Sequence, residues 1–312
     1  MTLARAIELA ERGRGTTHPN PVVGAVVVSE GEVVGEGWHE RKGGPHAEVV
    51  ALEAAGEQAR GSTVYTTMEP CTHHGDTPPC TTAVLEAGVA RMVAGSLDPN
   101  PKAAGGLDAL RANGVDVELV DSFEARAQNE AWRTWVSQRR PFVTYKAAMT
   151  LDGRLTTPAE RWVSGEASRR LVHELRAASD AVAVGMGTVR TDAPKLDARG
   201  VGATRQPRRL AFGRGPLPEG SALELRTGHL TEELTQLAEE GVQSLLLEGG
   251  PTLASAFLRK DLVDKVLVFV APKLAGEGPQ LLEGDIPHRR LSRLQTQASG
   301  EDVLLTAYVH EP

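Results

Sequence analysis

The sequence predicts a two-domain α/β protein, and three observations carry that reading. Its 312 residues suit about two domains at roughly 150 residues each. Short apolar runs alternate with amphipathic segments along the whole chain. The alternation pauses at Arg139-Arg140-Pro141, where the residue before a proline is biased out of helix, and then restarts. The expected domains are therefore 1–140 and 141–312.

In the first half, Val22–Val28 and Val33–Trp38 read as strands joined by the turn Ser29-Glu30-Gly31-Glu32. Pro45 opens a helix from His46 to Ala59, proline being well tolerated in a first turn. Ser62–Met68 reads as a strand, Pro79–Ala87 as a helix closed by Gly88, and Arg91–Leu97 as another strand. Leu107–Ala112 and Val115–Val120 repeat helix then strand, and Ser122–Arg139 has one continuous helical pattern. Such an order gives a sheet covered by helices. In the second half, strands are expected over Phe142–Met149, Ala181–Gly185, Arg208–Phe212, Ser244–Leu247, Val266–Ala271 and Val303–His310. Helices are expected over Ala167–Ala178, Thr231–Glu240 and Thr252–Arg259, with 199–220 as surface loops around a short strand.

Composition narrows the function. Hydrophobic content of 40% with 24% charged residues is ordinary for a globular chain. A net charge of −7 without a Lys/Arg-rich run argues against nucleic acid as a partner, while a small anionic substrate stays open. No apolar stretch approaches the roughly 20 residues of a membrane span, and Met1-Thr2-Leu3-Ala4-Arg5 begins no signal segment, so no membrane association and a cytoplasmic location are expected. The two cysteines could form a disulfide, but in a chain with no export signal metal ligation is the better reading.

Both cysteines fall in Glu69-Pro70-Cys71-Thr72-His73-His74-Gly75-Asp76-Thr77-Pro78-Pro79-Cys80, downstream of His46-Ala47-Glu48. One imidazole and two thiolates suit zinc, leaving a fourth position for water. Two thiolates largely neutralise the metal, so a carboxylate must help take the proton, and Glu48 stands two residues from His46 for that work. This is the residue pattern of a zinc deaminase. His46, Cys71 and Cys80 are thus the expected ligands.

Eight residues separate the cysteines, against two in the general deaminase signature. That longer loop, with Thr17-His18-Pro19-Asn20-Pro21-Val22-Val23-Gly24-Ala25, Pro45-His46-Ala47-Glu48-Val49 and Asp98-Pro99-Asn100-Pro101, resembles the riboflavin-biosynthesis deaminases that are fused to a reductase. The resemblance extends over almost the whole chain. It implies a cytidine-deaminase-like α/β/α sandwich followed by a dihydrofolate-reductase-like domain. It also implies a phosphoribosyl-diaminopyrimidinone substrate, zinc in the first domain and NADPH in the second. Asn20 and His39 would then bind the pyrimidine ring, and His73, Thr77, Asp98 and Asn100 would face the ribose phosphate. Two departures stand out. Asp76 replaces a usual Lys or Arg, and Ala103-Ala104-Gly105-Gly106-Leu107 lacks the family's arginine. Both remove positive charge near the expected phosphate, so either another cation such as Lys102 compensates or the phosphate is held weakly.

In the second half, Gly185-Met186-Gly187-Thr188-Val189-Arg190 lacks the third glycine of a dinucleotide fingerprint. Leu247-Glu248-Gly249-Gly250-Pro251-Thr252 runs a strand into two glycines and a helix start, which offers free N–H groups to a pyrophosphate or is a plain strand–turn–helix. By the resemblance, NADPH contacts fall on Ala148, Trp162, Thr188, Asp192, Gly250, Pro251, Thr252, Leu253, Ala254, Ser255 and Ala256. Substrate contacts fall on Arg176, Leu196, Arg199 and Glu248, the guanidinium fork suiting a phosphate dianion. Lys146 and Glu248 are expected to assist ring opening and reduction. A homo-oligomer is expected. Two alternatives remain open from the residues: a cytidine- or tRNA-type deaminase, and a deaminase whose C-terminal half is a noncatalytic module.

Overall fold

The computed structural model describes residues 2–74, 78–158 and 160–312. The chain divides into two units, Met1–Gln138 with Pro312, and Arg139–Glu311. Each is described by itself.

The first unit is built on a five-stranded sheet of β1 (Gly24–Ser29), β2 (Glu32–Trp38), β3 (Thr63–Thr66), β4 (Arg91–Ala94) and β5 (Asp116–Leu119), in the order β2-β1-β3-β4-β5. The first two strands form an antiparallel hairpin whose turn places Glu30 and Gly31 at φ 52° and 88°, the left-handed pair that matches strand twist. Alternation along β1 sends Ala25 and Val27 to one face and Val26 to the other. Helix α1 (Thr2–Ala10) covers the Val26 face through Ala6 and Leu9. The opposite face carries α2 (Ala47–Ala55), α3 (Cys80–Glu86) and α4 (Gly106–Ala112), packed through Ala47, Ala51, Val84, Leu107 and Leu110. Two glycines of β2 set how closely α2 approaches. A Cβ at Gly35 would lie 2.2 Å from the Ala51 carbonyl oxygen, and one at Gly37 would lie 2.4 Å from that of Ala47.

Three differences from expectation have local causes. The helix expected to reach Ala59 stops at Ala55, because Gly56 turns to φ 54° and the chain continues as a 3₁₀ turn. The single helix expected over Ser122–Arg139 is two, α5 (Phe123–Ala127) and α6 (Glu130–Gln138). Between them Asn129 turns its buried side chain onto Val22, accepting from its N–H at 2.9 Å and donating to its carbonyl at 2.8 Å. Helix α1 was not expected at all; nine residues give few turns of periodicity to read.

The second unit holds an eight-stranded sheet made of β6 (Phe142–Thr150), β7 (Ala181–Gly185), β8 (Arg208–Phe212), β9 (Glu224–Arg226), β10 (Ser244–Leu247), β11 (Lys265–Ala271), β12 (Ser292–Ser299) and β13 (Asp302–Tyr308). Its order is β12-β13-β11-β6-β10-β7-β8-β9, with the six strands from β11 to β9 parallel. Its helices are α7 (Glu166–Ala178), α8 (Met186–Asp192), α9 (Leu230–Glu239) and α10 (Pro251–Arg259). Tyr145, Leu245, Leu247, Leu234 and Phe257 meet on one face, while Val182, Val184, Leu246 and Val189 meet on the other. The strand pattern missed β9, which is three residues long, and β12, whose side chains are exposed on both faces and leave no alternation to detect.

Register positions a groove in this unit. Strand β10 ends at Leu247 opposite Tyr145, whereas β6 continues beside β11 as far as Thr150. The stretch Lys146–Thr150 therefore has one open edge, next to the turn Glu248-Gly249-Gly250. Crevices at the carboxyl ends of parallel strands are where α/β sheets bind ligands.

Candidate active sites

In the first unit, His46 is the N-cap residue of α2, Cys71 follows β3 by a short loop, and Cys80 is the first residue of α3. The ligand atoms of His46, Cys71 and Cys80 lie within 4.8 Å of one another. His46 Nδ1 is 3.1 Å from Cys80 Sγ and 3.5 Å from Cys71 Sγ. Both cysteines are buried and unbridged. Cys71 Sγ accepts the backbone N–H of Cys80 at 3.4 Å. The Cys80 thiol, then His46 and that amide, hold the Cys71 thiol far below its ordinary range. In turn the Cys71 hydrogen bond raises His46. A soft, partly deprotonated donor set around one point fits zinc.

Glu48, in the first turn of α2, is almost fully buried with Oε2 3.6 Å from Cys80 Sγ. Burial pushes its carboxyl up to about 7, a value suited to taking and returning a proton near neutral pH. A cavity of about 400 Å³ opens beside this cluster, and Asn20, His39, His46, Glu48, Cys71, His73, Asp98 and Asn100 all line it. His39 Nδ1 lies 3.0 Å from the Pro45 carbonyl, which leaves Nε2 to accept from Asn20 Nδ2 at 3.4 Å. Its ring meets that of His46 edge-on, with centroids 5.4 Å apart. Asp98 accepts the Asn100 N–H at 2.7 Å, and burial raises its carboxyl to about 6. Thr77 and Asp76 lie outside the described residues.

The cavity wall also includes residues the sequence did not single out. Trp132, Trp135 and Val136 of α6 close one side. They stand more than fifty residues from Cys80, and no local motif marks them. Glu69 is buried at the cavity and ties three segments together. It accepts from the N–H groups of Asp98 at 3.2 Å, Gly105 at 3.2 Å and Leu107 at 3.0 Å. Gly106 lets α4 start against the Pro70–Cys71 loop, since a Cβ there would sit 1.8 Å from the Pro70 carbonyl oxygen. Among the described residues no lysine or arginine lines the cavity, and Lys102 is exposed in the turn after Asn100.

In the second unit Arg176, Glu248 and Lys146 form a largely buried ion cluster. Arg176 grips Glu248 with Nε at 2.6 Å and Nη2 at 2.9 Å, and Lys146 Nζ is 3.8 Å from the same carboxylate. Burial would raise Glu248, but Arg176 and Lys146 outweigh it and hold the group below its ordinary value. Lys146 is lowered by burial. Gly250 is the N-cap residue of α10 and Pro251 its first helical position. A Cβ at Gly250 would lie 3.8 Å from Thr188 Oγ1, so Thr188 faces this turn. Ala254 and Ser255 are buried, and Ser255 Oγ accepts the Glu283 N–H at 2.9 Å. Ala148 lies in the open-edged part of β6, and Asp192 ends α8. Leu196 is buried in a left-handed conformation at φ 52°, and Arg199 is exposed. Trp162 is half exposed between the guanidinium groups of Arg161 and Arg169, 5.0 and 5.6 Å from its ring centroid. Lys273 holds this segment through Glu160 at 2.7 Å and the Trp162 carbonyl at 3.3 Å.

Comparison with known proteins adds identity to this geometry. Residues 1–96 match the family model of the cytidine and deoxycytidylate deaminase zinc-binding region, and residues 141–305 match that of the RibD C-terminal domain. The riboflavin biosynthesis protein RibD of Aquifex aeolicus is 40% identical over 341 residues, spanning 96% of this chain and 95% of that protein. The chain belongs to the RibD family. The Mycobacterium tuberculosis RibD is 42% identical across 90% of this chain and 87% of its own length. Acinetobacter baumannii RibD superposes with a TM-score of 0.86 at 34% identity, covering 98% of this chain and 97% of that one. A Thermotoga maritima diaminohydroxyphosphoribosylaminopyrimidine deaminase/5-amino-6-(5-phosphoribosylamino)uracil reductase gives 0.82 at the same identity and coverage. As a RibD-family riboflavin biosynthesis enzyme, the chain joins a cytidine-deaminase-like domain to a dihydrofolate-reductase-like reductase domain. The match to the RibD C-terminal domain supports a reductase domain over a noncatalytic module in the second half. Among the described residues no helix is long and apolar enough to cross a membrane.

Proposed function

We infer that the first domain deaminates 2,5-diamino-6-(5-phosphoribosylamino)pyrimidin-4-one and that the second reduces the resulting aminouracil to its ribitylamino product with NADPH. The observation that carries the reading is the convergence of His46, Cys71, Cys80 and Glu48 on one point, beside a cavity that His46, Cys71 and Glu48 line. His46, Cys71 and Cys80 would hold zinc, which when bound supplies Lewis acidity for the activation of water. Glu48 Oε2 takes the proton of the attacking water and returns it to the departing amine, and its position inside the protein keeps bulk water from competing for that proton. Asn20 and the His39 ring bind the pyrimidine edge, while Asp98 and Asn100 face the ribose. Trp132 and Trp135 shield the apolar side of the ring.

In the second domain, Gly249 and Gly250 leave room for a pyrophosphate at the start of α10, whose first N–H groups lack intrahelical partners. NADPH, when bound, supplies the hydride. Thr188 and Asp192 flank the cofactor, with Ala148 and Trp162 lining the opposite wall. Lys146 Nζ, its charge weakened by burial, gives a proton to the ribosyl ring oxygen as the ring opens. Glu248 holds Lys146 and Arg176 in place, and Arg199 binds the substrate phosphate. A homo-oligomeric enzyme is part of this reading.

A coupled assay tests the whole of it. Zinc-loaded enzyme given the phosphoribosyl-diaminopyrimidinone and NADPH should release one ammonia for each NADPH oxidised. NADPH oxidation without ammonia release, or the reverse, would refute the two-step assignment.

A further inference from the structure

The segment joining α8 to β8 carries Leu196 and Arg199, and its backbone is under local strain. Ala193 and Leu196, neither of them glycine, sit at φ 43° and 52°. Such residues keep a left-handed conformation only where their surroundings fix it. Three sets of contacts do so here. The Leu196 side chain is buried against Val182, Val184 and Met186. Gln206 clamps Ala198 from both sides, accepting its N–H at 2.8 Å and donating to its carbonyl at 2.8 Å. The third set comes from α7. The Asp197 carbonyl oxygen accepts His173 Nδ1 at 2.9 Å and Arg176 Nη1 at 3.2 Å.

His173 and Arg176 are three residues apart and so share one face of α7. A carbonyl oxygen has no proton to give, so His173 Nδ1 carries the proton in this contact. Burial, with the charges of Arg176 and Arg199 nearby, holds the ring below its ordinary pKa and therefore in the neutral form. The Arg199 backbone N–H also points at Nδ1 at 3.5 Å, but a protonated nitrogen cannot accept it, and the 2.9 Å bond to a carbonyl that can only accept decides the tautomer. Asp197 thus turns its carbonyl to α7 and its carboxylate to the Arg199 guanidinium.

We propose that His173 is a positioning residue of the reductase reaction, which fixes Asp197 through its Nδ1–H and so sets Arg199 for the substrate phosphate. His173 touches neither hydride donor nor acceptor; it acts through the backbone of the segment that binds substrate. The proposal rests on the assignment of Arg199 as the phosphate ligand.

Polar replacements of different reach provide the test. In His173→Asn the amide nitrogen can take the place of Nδ1, whereas in His173→Gln it reaches toward the place of Nε2. Reductase kinetics with the pre-deaminated aminouracil phosphoribosyl substrate, full-length enzyme and saturating NADPH would be measured for both, with His173→Ala and Arg199→Ala alongside. Loss of one hydrogen bond that orders the segment should raise KM about 5- to 10-fold in the Gln and Ala variants, with kcat within about twofold, while Asn stays near the unmodified enzyme. A KM in His173→Gln equal to that of the unmodified enzyme, or an Asn variant as impaired as Gln, overturns the positioning role. An unchanged KM in Arg199→Ala instead overturns the phosphate assignment beneath it. Should the Ala variant fail to fold, the Asn–Gln contrast alone decides.

Discussion

Glu48 illustrates how one buried side chain is suited to two proton transfers. It is enclosed on the helix that also presents His46, and burial raises its carboxyl to about 7. Replacing it with alanine removes the proton shuttle but none of the three ligand atoms. Glu48→Ala should keep its zinc, read by atomic absorption, and lose about 10²- to 10⁴-fold in the rate of ammonia release. A variant that loses metal along with turnover would show Glu48 to be structural. The clustering of His46, Cys71 and Cys80 was legible because each sits at an element boundary in a short pattern: His46 before α2, Cys71 after β3, Cys80 opening α3. Trp132 and Trp135 were not, since their place in the wall depends on how α6 folds back and on nothing in their neighbourhood. Asp197 likewise acts through its backbone carbonyl, which any residue would carry.

Between elements, close backbone approach governs the geometry of the deaminase site. Helix α4 begins against Pro70, the residue before Cys71, and Gly106 makes that contact possible. Gly106→Ala would force the Pro70–Cys71 loop or the helix to move. We expect it to destabilise the first unit by about 1–3 kcal/mol and to lower its zinc content, measured by thermal melting and metal analysis. An alanine variant with full zinc and an unchanged melting temperature would contradict the contact. Strands and helices with clear alternation or periodicity were read nearly to the residue, as in Ala181–Gly185, Arg208–Phe212 and Ser244–Leu247. The failures share a cause in long-range contacts. Asn129 splits an otherwise continuous helical pattern by bonding to Val22, over a hundred residues away, and β12 is recruited by pairing with β13 and not by its own composition.

On the scale of the whole chain, each unit has its own sheet and core, and the second closes on a single buried charge. Asp264 receives Arg140 through two bonds of 2.7 and 2.6 Å and the Val143 N–H at 2.8 Å. His310, beyond the last strand, contacts it at 3.3 Å and Asp261 at 3.0 Å. The beginning and end of the unit are thereby tied at one point. The hydrogen bond to Asp264 raises His310 above its ordinary pKa, so its contribution to stability is complete below about 6.5 and disappears as pH rises through the folded value. The melting temperature of the second unit should therefore fall between pH 6 and pH 8 by more in the unmodified protein than in His310→Gln. Equal falls would show that the histidine does not govern this dependence. A division into two units could be anticipated from length and from the break before Pro141, but this closure could not, because its members are scattered from residue 140 to residue 310.

The glycines of β2 carry a consequence for how this enzyme can vary. Because Gly35 and Gly37 bring the carbonyl oxygens of Ala51 and Ala47 almost onto the strand, main-chain atoms gauge the depth at which α2 rests. Drift in neighbouring side-chain volume leaves that gauge untouched. In a survey of random variants, Leu52 should accept other aliphatic residues freely, whereas the two glycines should accept nothing, although neither lines the cavity.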